Sequence, residues 1–286
     1  MSQTTHEAAE ALRHAISTAT IGELSFPTSL DASRRVLKAV ENPDLGLTAL
    51  AKIIVAEPLL SAKVIRLANS AALNPANKTI RDVRQAVLCV GMDLIKALAM
   101  VLIMDQLRQS QRHKGCRDLA NRLWERNVHV AALSYVLAKK LTRLNADEVM
   151  FSAIVGDLGR FYLLSRVADF PALLEDPVVL ATTINDLASH ATSIVLDKLN
   201  LPASVVDAVL ASRHYSGAMP PATPGDILFI AGVVSPRRDP FDELDTRVTP
   251  EAGGGAVAFG LDKSMVATLI AASGDEIYSI VVALES

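Results

Sequence analysis

The chain has 286 residues, of which 50% are hydrophobic and only 4% aromatic, and its formal net charge is −3 at pH 7. This length can bury one large core or two smaller ones, and the low aromatic content leaves Ala, Leu and Val to do most of the packing, which favours helices. The small net charge excludes a global attraction to polyanions, and no uncharged run approaches the roughly 18–20 residues that cross a bilayer. We therefore expect a cytoplasmic protein without a membrane or nucleic-acid partner.

Two cysteines, Cys89 and Cys116, are present, without the CxxC or Cys/His spacing of a zinc site. Cys89 lies in an apolar run, and we expect its thiol to be buried, because free cysteine often packs as a small hydrophobic side chain. This pattern does not favour a redox function.

Apolar residues recur at helical spacing along nearly the whole chain, without the alternation typical of strands. In the first half, Pro58 suits the first position of a helix. Thr79 and Asp82 resemble a capping box that opens the next helix, and Gly91 fits the C-terminal cap of that helix. Residues 92–109 are apolar around the whole helical circumference, which predicts a central buried helix.

A polar, basic segment at 110–115 divides the chain into an N-terminal lobe, residues 1–109, and a second lobe, residues 116–286. The sequence predicts an all-α, multi-helical fold for both lobes. A glycine run at 253–255 predicts a flexible bend. The helices predicted in the second lobe cover residues 117–144, 146–167, 184–199, 202–212, 227–234, 263–272 and 275–284.

Two polar or aromatic features have structural interpretations. We expect Asn69 and Ser70 to bond to loop backbone and to end their helix, as these residue types commonly do. Trp124, the only tryptophan, is expected to anchor the junction between the two helical halves.

Five motifs follow one another in the first 91 residues: Phe26-Pro27, Asn42-Pro43-Asp44, Glu57-Pro58-Leu59, the RLANSA run Arg66–Ala71 and the segment Ile80–Gly91. Together they resemble the HDOD domain (HD-related output domain), a degenerate member of the HD phosphohydrolase superfamily. The resemblance covers about residues 20 to 235. It implies an N-terminal helical lobe followed by a degenerate HD-like helical lobe, and a signalling or regulatory module without demonstrated hydrolase chemistry.

The run FSAIVGDLGRFYLL, Phe151–Leu164, keeps the frame of the HD metal-binding signature but changes one ligand. In the superfamily an adjacent His and Asp hold divalent metal at this place. Gly156 stands at the His position and has no lone pair to donate, whereas Asp157 is retained. Arg160 supplies the basic residue of the motif.

Two further ligand positions of the family carry other residues here. In the run WERNVHVA, Arg126 stands where an earlier His is expected, and its guanidinium offers only donors. In the run ILFIAGVVS, Gly232 stands where a later Asp is expected. Of the ligand positions that the resemblance implies, only Asp157 therefore keeps a donor, and we expect no catalytic residue and no cofactor.

His190 and His214 leave an alternative open. They occupy the places of auxiliary histidines in metal-bearing HD proteins, on either side of Leu201-Pro202. With Asp157 they would form a set of two His and one carboxylate, which can hold Zn, Mn or Fe. The alternative function is a metal-dependent phosphohydrolase acting on a nucleotide or phosphoester.

A carboxylate in a metal-free cavity needs a cation or a proton, because an isolated buried charge is costly. We predict that Asp157 contacts Arg126, with Arg160 as the second candidate. The main hypothesis is a non-catalytic regulatory module that acts by binding a protein partner of a signalling pathway or a small effector ligand. Its predicted vestigial pocket comprises Arg126, Gly156, Asp157, Arg160, His190, His214 and Gly232.

Overall fold

The computed structural model describes residues 3–18, 31–40, 42, 44–111, 113–218, 220–248 and 263–285. Within these ranges the regular structure is helical and contains no strand, which confirms the all-α prediction. The glycine run at 253–255 lies outside the described residues. The α-helices are α1 Gln3–Ser17, α2 Asp31–Val40, α3 Leu47–Val55, α4 Pro58–Ala68, α5 Val83–Gln109, α6 Lys114–Leu141, α7 Ala146–Val155, α8 Leu158–Val167, α9 Pro177–Lys198, α10 Ala203–Ala211, α11 Pro224–Val234, α12 Lys263–Ala272 and α13 Gly274–Glu285, with a 3-10 helix at Pro171–Glu175.

Helix α5 is the centre of the N-terminal half, and α2, α3 and α4 pack against it. Its start differs from the predicted capping box. Asp82 rather than Thr79 is the N-cap, because the Asp82 backbone is extended and its carboxylate accepts from the Gln85 amide at 3.0 Å. Gly91 has φ 77°, so the helix breaks there and resumes at once. The positive φ, which glycine adopts most readily, ends the first helical segment at the residue predicted as its cap.

Asn69 ends α4 as predicted, whereas the prediction that the Ser70 side chain bonds to loop backbone is wrong, since its buried hydroxyl has no hydrogen-bond partner among the described residues. The Asn69 side-chain amide donates to the carbonyls of Ile65 and Ile80, at 2.8 and 2.7 Å, and its oxygen accepts from the Ile80 amide at 2.8 Å. One side chain thus closes the loop between α4 and α5.

In the second half α6 is central, and α7, α11 and α13 pack against it, while α8 packs on α9. The predicted helix 146–167 is two helices, α7 and α8, which meet at Gly156 and Asp157. Helix α9 starts earlier than predicted, at Pro177, because the Asp176 carboxylate accepts from the amides of Val178 and Val179.

Gly159 allows α8 and α9 to approach closely. A Cβ built on Gly159 would lie 2.3 Å from both the amide nitrogen and the hydroxyl oxygen of Thr192. No side chain fits in that space, so the glycine of the sequence motif sets how α8 and α9 pack.

Helix α13 packs against both α4 and α6 and so joins the two halves. The buried Lys63 on α4 donates from Nζ to the Leu284 carbonyl at 2.8 Å. Ala71 donates its amide to the Ser279 hydroxyl at 3.1 Å. Trp124 on α6 is buried, and the Arg108 guanidinium of α5 lies 5.8 Å from its ring centroid, as expected for a residue at the junction.

The prediction for Cys89 is wrong. Its side chain is exposed on α5, whereas Cys116 is buried. The apolar run that contains Cys89 is one turn of an amphipathic segment, in which Ala86, Val87 and Val90 face the core and Leu88 is also exposed. Helix α5 is long and apolar enough to cross a membrane, but most of its apolar stretch is buried among the other helices.

Candidate functional site

A cavity of about 500 Å³ lies in the second half of the chain. It is bounded by α6, the junction of α7 and α8, α9, the end of α10, α11 and the loop after α11. Six of the residues predicted for the vestigial pocket line it: Arg126, Gly156, Asp157, Arg160, His214 and Gly232.

His190 does not join them. Its side chain is exposed on α9, whereas Ser189 and Thr192 of the same helix line the cavity. The placement of His190 in the vestigial pocket is wrong, and the alternative metal set of Asp157, His190 and His214 does not converge. The physical reason is helical geometry, since adjacent residues point about 100° apart around a helix.

Asn127 creates the break at which Asp157 stands. This buried side chain donates to the carbonyls of Ala153 and Ile154, at 3.1 and 3.2 Å, and to the Asp157 carboxylate at 3.2 Å. The final carbonyls of α7 are thus satisfied by a side chain of α6 instead of by a continuing helix. No sequence motif pointed to Asn127, although it directly follows Arg126.

The predicted pairing of Asp157 with Arg126 is wrong, and the second candidate forms instead. Arg160 Nη1 lies 3.5 Å from the Asp157 carboxylate, one helical turn away. Arg126 points elsewhere: its Nη2 lies 3.5 Å from the Gly232 carbonyl, and its Nε lies 3.8 Å from the Asp239 carboxylate.

Asp239, to which no sequence motif pointed, is the principal counter-ion of the cavity. It lies in the loop after α11, where it forms a close ion pair with Arg160 and accepts from the amides of Phe241 at 3.0 Å and Asp242 at 3.4 Å. Burial alone would raise the pKa of Asp239, but Arg160 and then Arg126 hold it below its ordinary value. One sequence feature could have pointed to Asp239: it forms an Asp-Pro pair shortly after α11, the helix that carries Gly232.

Asp242 and Asn185 extend this network. Asn185 accepts from Arg160 at 3.2 Å and donates to Asp242 at 3.3 Å. Burial and the neighbouring Asp239 carboxylate raise the pKa of Asp242. The inner wall of the cavity is therefore a continuous set of charge-assisted hydrogen bonds around Arg160.

Asp226 holds the loop that forms the rim. Its buried carboxylate accepts from the amide and the hydroxyl of Ser216, at 2.9 and 3.0 Å, and from the amides of Ala222 and Thr223, at 3.2 and 3.1 Å. Burial would raise the pKa of Asp226, but the Ser216 and Thr223 bonds lower it. The rim residues Arg213 and His214 directly precede this loop.

The donor set does not fit the divalent metal that the HD resemblance implies. In the part of the chain that the structure describes, no three His, Cys, Asp or Glu side chains are grouped to hold a metal ion. Asp157 lies beside guanidinium groups, which donate hydrogen bonds but cannot ligate a cation.

Comparisons with solved structures agree with this fold. A candidate metal-dependent phosphohydrolase from Shewanella amazonensis SB2B superposes with a TM-score of 0.73 at 20% identity, over 99% of this chain and 100% of that chain. An HDOD domain protein from Geobacter sulfurreducens has a TM-score of 0.59 at 17% identity, over 98% of each chain. A candidate signal transduction protein from Marinobacter aquaeolei VT8 has a TM-score of 0.59 at 17% identity, over 99% of this chain and 67% of that one.

The comparison with curated proteins gave no match. The model of the HDOD domain family matches residues 26–215, which is well over half of the chain. This range includes the N-terminal motifs, the Gly156-Asp157 junction and the rim residue His214. The chain belongs to the HDOD family.

Proposed function

We propose that this protein is a non-catalytic regulatory module that acts by binding a small ligand or a protein partner. The observation that supports it is the contact of Arg126 with Gly232 and Asp239. A guanidinium with its own counter-ion occupies the place at which the superfamily pattern has a metal ligand. Metal activation of water, which needs protein donors around the ion, has no support from these residues.

The remaining acid of the family pattern also has a structural role. Asp157 accepts from Asn127, which itself binds the end of α7, and it pairs with Arg160. An acid or base that acts on a substrate must reach the proton that is transferred. In this cavity the Asp157 carboxylate is used to order the junction of α7 and α8.

A hydrolysis assay tests the proposal. Purified protein is incubated with bis(p-nitrophenyl) phosphate and Mn²⁺, Mg²⁺ or Zn²⁺, and the release of p-nitrophenol is followed. We expect no turnover above that of the metal ion alone. Turnover that is lost in Asp157→Ala but kept in the matched surface variant Asp207→Ala would overturn the proposal. Circular dichroism of each variant checks that the helices are intact.

A further inference from the structure

The cavity has more hydrogen-bond donors than its own carboxylates use. Asp239 is occupied by Arg160 and by two backbone amides, and Asp157 is occupied by Asn127 and Arg160. Asp242 accepts from Asn185. The carboxylates are thus engaged by groups that belong to the fold.

The guanidinium of Arg213 is not engaged in this way. It lines the cavity at the exposed rim and makes no hydrogen bond or ion pair with the residues that the structure describes. Burial and the positive charge of Arg160 lower the pKa of Arg213. The Asp157 carboxylate acts in the opposite direction but is already paired with Arg160, so an anion at the rim would meet Arg213 as a cation without a close counter-ion among the described residues.

Arg126 also has unused donors. Its buried Nε has no hydrogen-bond partner within the described ranges, since the Asp239 carboxylate is 3.8 Å away. The one hydrogen bond that Arg126 makes to a described residue, from Nη2 to the Gly232 carbonyl, is long at 3.5 Å. A buried donor without a partner is destabilising unless a ligand or water accepts from it.

The rest of the lining suits an apolar group. Apolar side chains from three helices form the wall beside these donors: Val130, Val209, Leu210, Leu228, Phe229 and Val233. A volume of about 500 Å³ is within the range of small-molecule sites, which combine apolar walls with a few convergent polar groups.

We propose that this cavity binds a small organic phosphate, without metal, through the guanidinium groups of Arg213 and Arg126, with the organic part against the wall of Leu228 and Phe229. A phosphate is favoured over a carboxylate because it offers three acceptor oxygens to two planar donor groups. The inference names the ligand class of the regulatory function proposed above and rests on it.

Four probes separate the parts of this ligand: phenyl phosphate, benzoate, inorganic phosphate and phenol. Binding to the full chain is measured by isothermal titration calorimetry in buffer with EDTA. We expect phenyl phosphate to bind most tightly, benzoate and inorganic phosphate more weakly, and phenol not at all. Equal or tighter binding of benzoate would contradict the choice of phosphate, and binding of phenyl phosphate only after metal is added would contradict a metal-free site.

Arg213→Gln is the principal variant, because the side chain is exposed and has no hydrogen-bond or ion-pair partner among the described residues whose loss would impair folding. We expect it to weaken phenyl phosphate binding at least about tenfold, the size expected for loss of a charged hydrogen bond. Arg238→Gln, at an exposed arginine outside the cavity, is the matched control and should bind as the parent chain does. Equal affinity of Arg213→Gln and the parent chain would overturn the inference.

Gly232→Asp is a second variant that tests Arg126. A Cβ at position 232 would lie 3.4 Å from Arg126 Nη2, so the new carboxylate would compete with the ligand for that guanidinium. Binding should weaken, and unchanged affinity would contradict a role for Arg126. Phenol release from phenyl phosphate is followed in the same samples. Release of phenol would overturn the non-catalytic function. If the parent chain neither binds nor hydrolyses phenyl phosphate, only the ligand class is overturned.

Discussion

The Arg126 guanidinium lies in direct contact with Gly232. Its Nη2 lies 3.5 Å from the Gly232 carbonyl, and a Cβ at position 232 would lie 3.4 Å from the same nitrogen. The two replacements in the HD pattern are therefore coupled. An Asp restored at position 232 alone would meet a guanidinium and form an ion pair, so the family's ligand set returns only if Arg126 is changed as well.

Asp239→Asn should be strongly destabilising. It removes the main counter-ion of Arg160 and the only ion-pair partner of Arg126 among the described residues. Because these guanidinium groups are largely buried, we expect the free energy of unfolding to fall by about 3–5 kcal/mol. Urea denaturation measures this free energy of unfolding. Asp169→Asn, which breaks an exposed pair with Arg166, should change it by less than about 0.5 kcal/mol, and equal effects would contradict this account.

Gly159→Ala should disturb the packing of α8 on α9. The added methyl group would lie 2.3 Å from backbone and side-chain atoms of Thr192, so the helices must separate. We expect a loss of about 1–3 kcal/mol in thermal or urea denaturation, the usual size for overpacking. Gly115→Ala, in the first turn of α6 with its nearest neighbour at 3.9 Å, should be neutral or stabilising by up to about 1 kcal/mol. A neutral Gly159→Ala would show that the close approach is absent in solution.

Asp226→Ala should loosen the rim loop and make stability less sensitive to acid. Loss of charge-assisted bonds to Ser216, Ala222 and Thr223 should lower the free energy of unfolding by about 1.5–3 kcal/mol at pH 7. The folded-state pKa of Asp226 is lowered, so its contribution is present above the ordinary value of about 4 and is lost as pH falls through the folded value. Denaturation at pH 7 and pH 3 should show the gap between parent and variant narrowing. A gap independent of pH would exclude a role for the carboxylate charge.

Lys63, which bonds to α13, should make the free energy of unfolding depend on pH in the alkaline range. Burial lowers the pKa of Lys63 to about 8, from 10.5. Between these values the unfolded chain binds the proton and the folded chain does not, so the free energy of unfolding should rise with pH across that window. Lys63→Met should remove this increment in urea denaturation at pH 7.5 and pH 10. Lys38→Met, at a surface lysine of α2, should leave the change in the free energy of unfolding between these pH values as in the parent chain. The same result for Lys63→Met would contradict the assignment of this pH dependence to Lys63.

Much of the fold could be predicted from the sequence because its signals are local. The apolar spacing around Met100 and Met104 identified the buried part of α5, and Asn69 was identified as a helix end by residue type alone. Errors arose where a distant side chain acts on the backbone. The break at Gly156 depends on Asn127, which is 26 residues from Ala153, the first carbonyl it binds.

The candidate site could be predicted only in part, for the same reason. The HD pattern placed Arg126, Asp157 and Gly232 together, but it gave no information on which acid pairs with which base. Asp239 pairs with Arg160 across 79 positions of the chain and carries no motif of its own. The prediction for His190 was wrong because a motif match gives the position of a residue along the helix but not the helix face on which its side chain lies.

Elemental analysis of the protein purified without chelator tests the central claim most directly. Because Asp157 is surrounded by donors and the expected ligands at positions 126, 156 and 232 are absent, we predict no stoichiometric divalent metal by inductively coupled plasma mass spectrometry. Close to one equivalent of Zn, Mn or Fe per chain, reduced to background in Asp157→Ala and kept in Asp207→Ala, would contradict the account.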